Sequence, residues 1–104
     1  MKAIIALVAL LALLPAVHAN VVISQVLYDP INTESGGEAV ELRNDGNAAM
    51  NISGWTLQTE TSLADATIPS GTLLQPGATF LIADTGWNSS KDNALWKAAD
   101  REET

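Results

Sequence analysis

Chemistry needs side chains that ionise, coordinate or attack, and this chain holds few kinds of them. Its 104 residues include no cysteine and one histidine, His18. His18 falls in an N-terminal segment that reads as removable, so the remaining chain has neither His nor Cys. That excludes Ser-His-Asp and Cys-His catalysis, histidine proton shuttling, haem and iron–sulfur ligation, and the usual zinc sites. No Gly-rich phosphate loop of either standard spacing occurs. Carboxylates are what remain. Glu38 and Glu41 stand three apart on an expected strand, so they point to opposite faces and form no acid–base pair by themselves. Opposed acids from different strands, as in glycosidases, would need a cleft that nothing in the sequence marks. Lys91 beside Ser89-Ser90 has the composition of a Ser-Lys pair, but a polar loop solvates all three. No catalytic residue is assigned.

Two milder chemistries stay open. Asp29, Glu34, Asp84, Asp92 and Asp100 sit in or beside expected loops, and Ca²⁺ takes loop oxygens. No Asp-x-Asp-x-Asp-Gly run gathers them, and ordinary surface acidity is the preferred reading. No metal or cofactor residue is therefore assigned, with calcium kept as the one ion worth testing. Asn51-Ile52-Ser53 and Asn88-Ser89-Ser90 both match Asn-x-Ser without proline, which marks Asn51 and Asn88 as N-glycosylation acceptors in an exported protein. The triplet also arises by chance, and many hosts lack the enzyme.

The elements that carry these residues read as short strands between turns. Residues 21–28 are mostly apolar, with Val22, Val26 and Tyr28 on one face and Val21, Ile23 and Leu27 on the other. Asp29-Pro30 ends that strand. Residues 38–43 nearly alternate, placing Val40 and Leu42 together. Asp45-Gly46 suits positive φ, so the chain should reverse there. Ser53-Gly54 precedes Trp55-Thr56-Leu57, where Trp55 and Leu57 point the same way. Thr67-Ile68 is a short strand before the Pro69-Ser70-Gly71 turn, and 72–74 leads to Gln75-Pro76-Gly77-Ala78, a type II turn. Residues 79–83 form another strand, with Phe80 and Ile82 on one face and Leu81 on the other. Residues 84–93 are a polar loop. Beyond it lies either a short helix over 94–102, capped by Asp92 or Asn93, or an irregular arm with Trp96 against the sandwich. Strands at this spacing indicate a sandwich or barrel rather than a βαβ unit.

Glu38, Val40, Glu41, Leu42 and Asn44, followed by Ile52, Ser53, Gly54, Trp55 and Leu57, together resemble the lamin tail domain family. Val22 to Pro30 is similar to that family's opening strand, except that Gln25 stands where relatives often have Glu. Leu74-Gln75-Pro76-Gly77 and Phe80-Leu81-Ile82-Ala83 extend the likeness over about 65 residues. The resemblance implies an all-β, immunoglobulin-like β-sandwich with a core of Val26, Tyr28, Val40, Leu42, Ile52, Trp55, Leu57, Phe80 and Ile82. Members of the family normally continue with further strands, so the domain is expected to be incomplete, with an open sheet edge suited to self-association.

Composition sets the compartment and limits the partners. Lys2, twelve unbroken apolar residues at 3–14, Pro15 and the small-residue pattern Val17-His18-Ala19 make residues 1–19 an export signal cleaved after Ala19. The apolar run is short of the roughly 20 residues that span a bilayer. What remains, residues 20–104, is one domain with four basic and twelve acidic side chains, a net charge of −8. That balance argues against nucleic acid, which needs a basic patch, and against anionic lipid once the signal is gone. The expectation is a secreted or cell-surface, non-catalytic module that binds a protein or cell-envelope component. The alternative is an N-terminal accessory-domain fragment of a secreted enzyme such as a nuclease or hydrolase.

Overall fold

A computed structural model of the chain describes residues 16–28, 37–90 and 96–103. Among them are eight strands and one turn of helix: β1 (Val21–Leu27), β2 (Ala39–Asn44), β3 (Met50–Asn51), β4 (Thr56–Leu57), β5 (Ala66–Thr67), β6 (Leu73–Leu74), β7 (Thr79–Ala83), α1 (Trp87–Ser90) and β8 (Arg101–Glu102). The main sheet runs β1-β2-β7-β8, and two ribbons, β3-β6 and β4-β5, form a second layer. The all-β class expected from the sequence is the class observed.

The sheet is organised on β7, whose alternation decides both of its faces. Leu42 pairs with Phe80 and Val40 with Ile82, while Ala39 pairs with Ala83 and Glu41 with Leu81. Phe80 and Ile82 pack with Ile52, Ala66, Ile68 and Leu74 from the ribbon layer. On the opposite face Leu81, Ala39 and Ala83 pack with Trp87, which is completely buried, and with the half-buried Trp96 and Ala99. Each large side chain buried this way contributes roughly 1.5–3 kcal/mol. Both faces of the strand are thus dry, and the fold has two cores.

The turns follow their glycines. Gly77 has φ +77° and the Ala78 N–H donates to the Gln75 carbonyl at 3.0 Å, the expected type II turn. Gly71 and Gly54 also take positive φ.

Several expectations are corrected. Gly46 does not have positive φ, and the chain does not form a hairpin there: β2 belongs to the main sheet and β3 to the ribbon layer. β1 does not alternate strictly, because its register against β2 shifts between Ile23 and Gln25. The extra residue is Ser24, whose hydroxyl donates to the Glu41 carboxylate at 2.7 Å. Ile23 and Val26 therefore both fall on the face of Leu42 and Val40. Leu27 packs against the core behind the sheet and Val21 against the core in front.

Three expected core residues are surface residues. Val26 is 54% exposed, Tyr28 76% and Trp55 42%. Val26 and Tyr28 border an open cleft with Leu57 and Ala66 of the ribbon layer, and among the described residues nothing fills it. Trp55 lies at the rim beside the Gly54 turn, while Ile52 before it and the half-buried Leu57 after it reach the core. The 84–93 stretch is not all loop, since it contains α1. Of the expected helix over 94–102, residues 94 and 95 lie outside the described residues, 96–100 are irregular, and Arg101–Glu102 is β8, parallel to β7. The burial of Trp87 and its edge-on contact with Trp96, 5.6 Å between ring centres, hold this arm down. No described helix is long and apolar enough to cross a membrane.

Candidate functional site

Among the carboxylates, the one abundant chemical group, Asp100, Glu102 and Glu103 of the C-terminal arm are at work on the backbone. Asp100 accepts the Leu81 N–H at 2.8 Å and the Lys97 ammonium at 2.7 Å. Glu102 accepts the Asn88 N–H at 2.6 Å, and Glu103 accepts the Thr67 N–H at 2.9 Å and the Arg101 guanidinium at 3.1 Å. These bonds hold the Glu103 carboxyl below its ordinary value of 4.5, the Thr67 N–H first and Arg101 second. Of the acids considered for calcium, Asp29, Glu34 and Asp92 lie outside the described residues. Asp84 and Asp100 are described, and no group of three or more potential ligands forms among the described residues. Lys91 also lies outside them.

The open side of the sheet is the main exposed feature. β1 is an edge strand of seven uncharged residues, Val-Val-Ile-Ser-Gln-Val-Leu. Ile23 and Val26 expose their side chains along it, and Tyr28 is exposed just past its end. At its C-terminal end is a cleft of about 130 Å³, with Val26, Val40, Leu57 and Ile82 among its apolar walls. Glu38, Asp65 and Asp84 line the same cleft. A free edge offers unpaired N–H and C=O groups in a row, and a partner strand satisfies them.

A second arrangement lies at the other end of the sheet, around Asn44. This side chain is completely buried and fully bonded. Its Nδ2 donates to the carbonyls of Ala48 at 2.8 Å and Leu74 at 2.9 Å, and its Oδ1 accepts from the N–H groups of Gly46 at 2.9 Å and Asn20 at 3.2 Å. Its own backbone bonds Ala78 and Gly77. One amide therefore ties the sheet, the 44–48 turn, the ribbon layer and the N-terminal segment together.

Asn51 and Asn88 are both exposed. Asn51 Oδ1 accepts the Ser53 N–H at 3.0 Å, and the Ser53 hydroxyl accepts from Thr72 N–H at 2.9 Å. Asn88 Oδ1 accepts the Ala99 N–H at 2.8 Å, so this residue also pins the C-terminal arm. Sequence reading missed Asn44 and Asn47 as organising residues. Only Asn44 carried a signal, as the residue closing the resemblance's second strand. The expected cleavage position, Ala19, is described and half-buried, whereas residues 1–15 lie outside the described residues.

A family model described as Lamin Tail Domain matches residues 15–104. No curated protein and no solved structure gives a match.

Proposed function

The chain belongs to the lamin tail domain family, and on that premise we propose that it is a non-catalytic interaction module working outside the cell or at its surface. Its partner is a protein or cell-envelope component, bound without a cofactor. The observation supporting this reading is the β1 edge, unpaired among the described residues, with Ile23 and Val26 exposed on a strand free of Lys, Arg and Pro and Tyr28 exposed just beyond it. Such an edge pairs by main-chain hydrogen bonds and takes specificity from alternate side chains. A second copy of the chain satisfies the same groups, so reversible self-association belongs to the reading. Asn51 and Asn88 are proposed modification acceptors, both away from β1 in sequence.

The test is saturable binding of labelled protein to isolated cell envelopes, with Ile23→Lys as the comparison. A lysine on the edge repels strand pairing without entering a core. We expect at least a tenfold loss of envelope binding and a purely monomeric sedimentation profile for the variant. Equal binding by wild type and Ile23→Lys would remove β1 as the interaction surface.

A further inference from the structure

Residues 16–20 belong to none of the strands, yet the 44–48 turn grips them almost entirely by their main chain. Asn47 reads two of their backbone groups: its Oδ1 accepts the His18 N–H at 2.8 Å and its Nδ2 donates to the Ala16 carbonyl at 2.7 Å. The N–H groups of Asn47 and Ala48 both donate to the His18 carbonyl, at 2.9 and 3.0 Å. Asp45 N–H donates to the Asn20 carbonyl at 2.7 Å, and Asn20 N–H donates to Asn44 Oδ1 at 3.2 Å. Asn44 is itself immobilised by Ala48 and Leu74. The side chains of Ala16, Val17 and His18 meanwhile stay exposed. Recognition therefore reads an extended backbone, not a sequence.

Gly46 completes the arrangement by leaving room. A Cβ there would collide with the His18 carbonyl oxygen and come within 2.7 Å of Ala19 Cα and Asn20 N. Glycine is needed here for close approach, which explains its presence without positive φ.

We propose that the 44–48 turn is a clamp for extended polypeptide backbone, that its occupant is the 16–20 segment of this chain, and that the closed clamp shields the peptide bond between Ala19 and Asn20. Proteases that cut extended segments hold them through the same main-chain groups. The His18 carbonyl and the Asn20 N–H and carbonyl are already engaged. Clamp and protease thus compete for one segment. Removal of residues through Ala19 takes place on a chain whose clamp has not closed, and a chain that folds first keeps its N-terminal segment.

The experiment uses the refolded full-length chain and a protease that cuts after alanine and valine, with products identified by mass. A free peptide of residues 12–24 serves as the unclamped reference. We expect cleavage within 16–20 to be at least tenfold slower in the folded chain than in the peptide. Asn47→Ala and Gly46→Ala each open the clamp from a different side and should recover most of that rate. Retained near-ultraviolet circular dichroism and the absence of cuts in β7 separate clamp opening from unfolding. Equal rates in the folded wild type and the peptide, with β7 uncut, overturn the proposal. So does a folded Asn47→Ala chain that stays fully protected.

Discussion

At the scale of single residues, the decisive side chain is a neutral amide. Asn44 donates twice and accepts twice in a fully buried place, so each of its hydrogen-bonding positions has a definite partner. Replacing it by aspartate keeps size and shape but removes both donors toward the Ala48 and Leu74 carbonyls. Leaving buried acceptors unsatisfied costs about 1–3 kcal/mol each, so Asn44→Asp should lose about 3 kcal/mol of stability in urea denaturation. A loss under about 1 kcal/mol would mean that water enters and replaces the amide. This role was not legible beforehand. Asn44 follows Leu42 on the core-facing side of β2, but periodicity does not distinguish a buried, satisfied amide from one at a wet strand end. Asn47 gave even less warning, because its partners lie 29 and 31 residues away in sequence.

At the scale of elements, strands with strong alternation were legible and irregular ones were not. β7 matches its expected bounds and both its faces, since Phe80, Leu81 and Ile82 alternate into two cores. β1 was harder because a bulge at Ser24 resets its alternation, and bulges leave no composition signature in a mostly apolar run. The C-terminal arm was hardest. β8 has only two residue pairs with β7, and carboxylate bonds from Asp100, Glu102 and Glu103 supply much of its attachment. Acid should loosen it. The Glu103 carboxyl titrates lower in the folded chain than its ordinary 4.5, so its contribution is present above that value and is lost as pH falls through the lower folded value. Glu103→Gln should therefore be less stable than wild type near about pH 6, with the gap narrowing below 4.5 and closing only below the lower folded value. A constant stability gap across a pH series of thermal melts would show that charge at Glu103 is irrelevant.

At the scale of the whole molecule, one sheet separates two cores of unequal support. The front core is closed by two ribbons and by β1 and β2, all in antiparallel pairing. The back core depends on Trp87, its Nε1–H bond to the Lys97 carbonyl at 3.0 Å, and its contact with Trp96. The sequence announced three tryptophans but not which one was interior, because Trp87 sits among Gly, Asn and Ser in a stretch with loop composition. Trp55 has the better strand context and is 42% exposed. Trp87→Ala removes the largest buried side chain and about 3–5 kcal/mol, which is a large fraction of the roughly 5–15 kcal/mol that holds a small domain. The loss falls on one face only. The arm at 96–103 should detach before the ladder between β2 and β7 does, as a separate unit of local unfolding. Hydrogen exchange on the variant should then show the Asp100 and Glu103 amides unprotected while the amides pairing β2 with β7 remain slow. Simultaneous loss of both sets would mean that the two cores stand or fall together, with β7 transmitting the damage from its back face to its front.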